Sequence, residues 1–340
     1  MTIARADANG WADGCGPLSA GAGSRTVPAT LSGLVWRCGF AQQLWLVMLS
    51  AAVFMVNLAP LELQRRIVNH ATAGGDLATI FELAALYAAV ALALGLLKYG
   101  MNVYRGRVSE CAVRWLRSAI LAEAGAMGVT GGRAATGVEI SLVLSEVEPI
   151  GSFVGVSLSE PLLAAGILVS TFAYLAYLEP MMALAALAVL SPQLLFVPLM
   201  QNAINRRVGA RIATLRSLSS DIVADAGPAA PLPLDDKIAT VFRLNMGVFK
   251  LKYAMNFLMN LLHHVGVAAI FAVGGYYAVT GAIEVGTIVA FVSGLAQVND
   301  PWGDVVDWYR ELKVTQTRYG LIVGVLSPDA GVGAAAETPG

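Results

Sequence analysis

Four side chains within one apolar run are the first to invite a chemical reading. Asn256, Asn260, His263 and His264 stand at i, i+4, i+7 and i+8. On a helix that spacing gathers them into one stripe, because residues three or four apart share a face. A polar stripe on a helix in lipid must face protein or water. Two uses are open to it: the wall of a cavity that contacts a cargo, or hydrogen bonds between helices. The adjacent histidines do not make a metal site, since neighbours on a helix point about 100° apart. Further on, Asp300 stands beside Pro301, which frees a backbone carbonyl. Asp304 follows one turn later on the same face. Ionisable groups at membrane depth are costly and mark functional sites. Glu160, His263 and Asp300 are the groups from which a proton relay would be built. Counted from the nearest turn, Glu160 falls about 27 Å down its helix, near an interface where solvation or a helix cap would serve as well. Glu82 interrupts another apolar run close to its end and is read as wet.

Other chemistry is not offered. No Ser-His-Asp grouping, zinc spacing or pair of catalytic carboxylates falls on any one element, so the chain is not read as an enzyme and no metal or cofactor is expected in it. Met246, Met255 and Met259 read as packing residues or as the lining of an adaptable apolar cavity. Glu139, Glu146 and Glu148 read as a solvated helix face. Cys15, Cys38 and Cys111 are scattered without metal spacing and read as free thiols. The formal net charge of −1 is silent about partners, and nucleic acid is not among those expected.

The elements that carry these groups are set by composition. The chain is 57% hydrophobic and 13% charged, with a mean hydropathy of +0.67, against roughly 25% charged in soluble domains. A span needs about 20 mostly apolar residues. Six stretches qualify, near Ala41–Leu63, Leu77–Leu97, Ile150–Leu178, Met181–Ile204, Tyr253–Ala282 and Val285–Asp304. Gly and Pro punctuate three short connections, around Ala73–Asp76, Leu178–Pro180 and Thr280–Gly286. The other two connections are long. They have helix formers and apolar residues at helical spacing, in Tyr99–Ala126 and Asn202–Ala226, and so predict membrane helices that continue into water. A helix over Pro180–Ala224 would be about 67 Å long, roughly twice the bilayer core. Pro192 and Pro198 are candidate kinks within it.

Charge gives the orientation. Of the 22 Lys and Arg, all but Arg65 and Arg66 fall on the two long connections or beyond the outermost spans. The positive-inside rule places both termini and both long connections in the cytoplasm of a plasma membrane, the bacterial inner membrane. The fold class expected is an all-α membrane protein, with six transmembrane helices and long cytoplasmic extensions over residues 36–325. Disordered tails are expected at 1–35, without a secretory signal, and at 326–340.

Three hairpins with short outer turns and long inner extensions resemble the six-helix, type-1 transmembrane domain of ABC exporters. Local stretches carry the resemblance. Leu61–Asp76 (LELQRRIVNHATAGGD) is similar to that family's end of helix 1 and outer turn. Ser145–Pro161 (SEVEPIGSFVGVSLSEP) is similar to the entry into helix 3. Gly274–Phe291 (GGYYAVTGAIEVGTIVAF) is similar to the helix 5–6 turn, and Pro301-Trp302 with Asp307-Trp308-Tyr309 to the end of helix 6. The resemblance implies a permease subunit that pairs with a second six-helix half, as homodimer or heterodimer, in the lipid bilayer. No G-x-x-x-x-G-K-[ST] loop occurs in the sequence. ATP and Mg are therefore expected on a separate nucleotide-binding subunit or a fused partner half-transporter. The turn between helices 4 and 5 departs from the family: Gly227-Pro228-Ala229-Ala230-Pro231-Leu232-Pro233 cannot form a continuous coupling helix. Two alternatives draw on these departures. One is a proton-driven transporter on the same scaffold. The other is a non-transporting or decayed half-transporter that pairs with an active one.

Overall fold

The computed structural model describes residues 27–37, 39–126, 147–224 and 234–326. Among these the regular structure is helical, and five segments are long and apolar enough to cross a membrane: Phe40–Thr72, Leu77–Ala122, Val147–Leu178, Pro180–Leu215 and Asp235–Val279. The chain is by this measure a multi-pass helical membrane protein. The sixth expected span lies in a helix, Val285–Leu326, but is not among the five. Its apolar run ends at Val298, where Asn299, Asp300 and Pro301 follow, after only about 20 Å at 1.5 Å per residue.

The helices are α1 (Leu31–Arg37), α2 (Phe40–Val56), α3 (Ala59–Thr72), α4 (Leu77–Ala126), α5 (residues 147–156), α6 (Ser159–Leu178), α7 (Pro180–Ala224), α8 (Leu234–Val279) and α9 (Val285–Leu326). Their long members match the expected extensions: α4 runs 50 residues and α7 runs 45, through both Pro192 and Pro198. α1 begins inside the stretch expected as an N-terminal tail. The proline-rich turn at 227–233 and the acids Glu139 and Glu146 lie outside the described residues.

Glycine closes two of the turns. Gly74 and Gly281 have φ of 73° and 75°, the left-handed conformation that a side chain resists. After α3, Gly75 N–H donates to His70 C=O (2.9 Å) and Gly74 N–H to Ala71 C=O (3.4 Å). After α8, Ala282 N–H donates to Tyr277 C=O (2.8 Å) and Gly281 N–H to Ala278 C=O (3.1 Å). Both pairs form the Schellman motif that satisfies the last carbonyls of a helix. The turn before α7 is the single residue Glu179, and Pro180 opens the helix where a missing N–H costs nothing.

Two expected spans are broken. α2 stops at Val56 and α3 starts at Ala59, with Pro60 in its first turn. α5 stops at 156 and α6 starts at Ser159, with Pro161 in its first turn. Proline lacks the donor for a continuing helix and fits the first turn of a new one.

The chain divides into two compact units, one of residues 1–171 with 300–340 and one of residues 172–299. In the first, Leu34, Leu46, Leu116, Ile150, Phe153 and Tyr319 bury one another, so that α1, α2, α4, α5 and α9 share a core. α5 passes close to α4: a Cβ on Gly155 would stand 2.6 Å from the Arg105 carbonyl oxygen. In the second, Leu175, Met182, Ile270, Phe291 and Leu295 form the core, and α7 lies along α8. Much of the apolar surface stays outside both cores. Only 6% of the most apolar window of the α4 segment is buried, with Phe81, Leu92 and Leu96 exposed. A surface of that kind belongs in lipid or against another protein.

One cysteine differs from expectation. Cys111, 5% exposed, is disulfide-bonded, and the other two cysteines lie outside the described residues. Separation along the chain does not report distance in the fold, so scattered cysteines can still pair.

Candidate functional site

The break between α5 and α6 organises the polar interior of the first unit. Pro161 cannot donate to the carbonyl four residues back, that of Ser157. Trp308 of α9 takes that place, its Nε1–H donating to Ser157 C=O at 3.0 Å. Gln43 of α2 donates to Val154 C=O (3.1 Å), and Ser50 to Ser159 C=O (3.2 Å). Gln43 and Ser50 are 1% and 0% exposed. Backbone carbonyls released in an apolar setting need protein partners, and Gln43 and Trp308 provide them, while Ser50 adds a bond to a carbonyl in the first turn of α6.

Glu160 stands in the first turn of α6, where the helix dipole favours a carboxylate. Arg105 of α4 reaches it, with Nη1 to Oε2 at 2.5 Å. The Arg105 side chain is 10% exposed and that of Glu160 27%. Nε and Nη2 of Arg105 are buried and have no hydrogen-bond partner. Asp304 of α9 interacts electrostatically with both members of the pair and with Asp300. The group is a mostly desolvated ion pair with a carboxylate neighbour and unused donors on its cation. It can lock α4 to α6, and it can exchange one carboxylate for another.

The stripe on α8 is differently placed. Asn256, Asn260 and His264 are exposed and His263 is half-buried. The two imidazole rings meet edge-on, with centroids 5.5 Å apart. Among the described residues none of the four side chains is hydrogen-bonded to another. Of the relay candidates, Glu160 and Asp300 fall in the first unit and His263 in the second. Glu82 is exposed. Among the described residues no three His, Cys, Asp or Glu are grouped as metal ligands.

Gln43, Ser50, Arg105, Gln193 and Gln201 escaped sequence reasoning. Arg105 is the partner of Glu160, yet counting from Leu77 sets it about 42 Å along its helix, against about 27 Å for Glu160. Depth counts assume equal heights for all turns, so a contact between two helices cannot be read from them. Gln193 and Gln201, two turns apart on α7, are buried at 5% and 9% exposure. Their spacing of eight residues was the available signal, since it keeps both on one face.

No family model matches the chain, and no curated protein matches it.

Proposed function

We propose that this chain is the membrane-embedded permease subunit of an ABC-type exporter, with ATP hydrolysis and Mg on a separate chain or a fused partner half. The observation that carries the reading is the form of the helices. α4, α7 and α8 are 45 to 50 residues long, apolar over a bilayer-length part and bearing Arg and Lys over much of the rest, and α9 runs 42 residues. Helices that overrun the bilayer as rigid rods suit a device that transmits a motion made in water to a cavity in lipid. In this reading α9 crosses as a sixth span beside protein, where its Asp300 need not meet lipid. Both termini are cytoplasmic, and Arg65 and Arg66 are on the outer face, where Glu62 pairs with both (2.8 and 2.6 Å). A second six-helix half faces the Asn256, Asn260, His263 and His264 stripe, which becomes a wall of the shared cavity. The test is purification of the full chain from its host in mild detergent. An ATPase subunit should come with it, and export from vesicles should need ATP. Recovery of the chain without any ATPase, with ATP-independent transport, would overturn the proposal.

One observation favours a second reading, a proton-driven transporter on the same scaffold. Asp304 stands in the field of the Arg105–Glu160 pair, and Asp300 acts on Asp304; carboxylates competing for one cation can change partner on protonation. Transport that persists when Glu160, His263 and Asp300 are all made neutral rules it out.

A further inference from the structure

One face of α8 is bare along a part of the helix that does not suit lipid. The helix is 46 residues long, about 69 Å, against a bilayer core of about 30 Å. Counted from its end at Val279, Tyr253 stands about 39 Å down, beyond that core. Residues 235–252 carry Asp235, Asp236, Lys237, Arg243, Lys250 and Lys252, a density of charge that belongs in water. Yet Phe242, Met246, Phe249 and Tyr253 are 39% to 65% exposed. They stand at i, i+4, i+7 and i+11, so they form one stripe. α7 meets this part of α8 at Asn245 and Gly247 and leaves the stripe uncovered. An exposed apolar stripe in water marks a protein interface, and this spacing is that of a coiled-coil seam.

The stripe itself says what covers it. It runs on without a break into Asn256 and Asn260, at i+14 and i+18, the face that a second half is proposed to meet. Two copies inserted the same way, related by a two-fold axis along the membrane normal, can set α8 beside α8 in parallel. Each layer then meets its own equivalent, Phe242 on Phe242 and Phe249 on Phe249. Charge permits the match. Arg243 and Lys250 flank the stripe on one side and Lys252 on the other. In a parallel pair a flanking residue meets the one five positions later on the facing helix. That sets Ile238 against Arg243, Asn245 against Lys250, and Lys252 against Phe257. No like charges meet. The Asn245 amide can accept from Lys250, and Phe257, 63% exposed, offers a ring face to Lys252. The cations that flank the stripe thus find partners in a second copy without an acidic surface from another protein.

We propose that the water-exposed part of α8 pairs with the same part of α8 in a second copy of this chain, as a short parallel coiled coil closed by Phe242, Met246, Phe249 and Tyr253. This deepens the reading under Proposed function, on which it rests only for the need of a second half, and it names that half as another copy. The test is oxidative cross-linking of the full chain in its membranes. Phe249→Cys should give a covalent homodimer. Ala254→Cys, exposed but off the stripe, should give no more than the wild type, whose native cysteines set the background. Phe242→Glu combined with Phe249→Glu sets carboxylates face to face in the seam. The dimer fraction in mild detergent should then fall about tenfold, with the single chain still folded because both side chains are exposed in it. If that variant does not fold, the two cysteine variants decide the matter. Cross-linking no better at Phe249→Cys than at Ala254→Cys, linkage to a different polypeptide, or an undiminished dimer in a folded double variant would each overturn the proposal. Recovery of an ATPase is read separately. A cross-linked homodimer without ATPase leaves the pairing and sinks the exporter, and an ATP-driven exporter without the cross-link does the reverse.

Discussion

The helix break of the first unit and the polar stripe on α8 of the second use polar side chains differently. In the first, residues 1–171 with 300–340, Gln43 and Trp308 serve carbonyls released at a helix break, Ser50 bonds to the first turn of α6, and Arg105 serves Glu160. In the second, residues 172–299, α7 and α8 are unbroken helices packed on an apolar core, and Asn256, Asn260 and His264 face outward. An unbroken helix satisfies its own backbone and asks nothing of its side chains. The difference separates two meanings of a polar residue in an apolar helix. A partner within the chain marks a structural role, whereas exposure without one points to something outside the chain.

The largest test of that division is Arg105→Leu. It leaves Glu160 mostly desolvated without its cation, and breaking such a pair costs about 3 kcal/mol or more. Thermal unfolding in detergent should show a large loss. Arg105→Leu combined with Glu160→Leu should recover much of it, because the stranded charge is then gone. If the single change is tolerated, the pair is not structural, and the exchange of carboxylates in the proton-driven reading gains ground.

Next in size is Gly155→Leu. The added side chain starts 2.6 Å from the Arg105 carbonyl, so α4 and α5 must separate, at a cost of about 2–3 kcal/mol. The same measurement checks it, with Gly95→Leu as control, since a Cβ there meets nothing within 4 Å. Trp308→Phe follows. It keeps most of the ring and removes the donor to Ser157 C=O, at a cost of about 1–2 kcal/mol for an unsatisfied buried carbonyl. A value within about 0.5 kcal/mol of wild type, the range of ordinary surface changes, would mean that the carbonyl finds another donor and that the break does not depend on α9.

Much of the frame is legible in the sequence, because it rests on local rules. Leu77–Ala126 and Pro180–Ala224 follow from long runs of helix formers without a stop, and the turns at Gly74 and Gly281 from left-handed glycine. Glu160 was legible as a group needing a cap or solvent, and the first turn of α6 supplies part of that. What stayed hidden depends on three-dimensional register. Neither Pro60 nor Pro161 announces a two-residue break, since proline is equally at home inside α7 at Pro192 and Pro198. Arg105 was hidden because its distance along α4 says nothing about the height at which α6 begins. Cys111 was hidden because its partner lies far away in sequence. The sixth span is not fixed by hydropathy, for a different reason. Its apolar run stops at Val298, and whether the remainder lies in the bilayer depends on what packs beside Asp300, which hydropathy does not contain.

The smallest expected effect on stability carries the most functional weight. Asn256→Leu combined with Asn260→Leu removes two exposed amides that have no partner among the described residues. Within the chain nothing is left unsatisfied, so unfolding should move by no more than about 0.5 kcal/mol. If the stripe is the wall of a shared cavity, the same double change should abolish or redirect export while leaving insertion and folding intact. If it serves hydrogen bonds to another helix, the change should instead lower the fraction of chain recovered as an assembly, and transport should fall only in proportion. A double variant that is stable, assembled and fully active would leave the stripe with neither role, and exposure alone would then be a poor guide to function in this unit. Comparing activity per assembled complex with assembly itself separates these outcomes, because a cavity wall acts on the first quantity and a helix contact on the second.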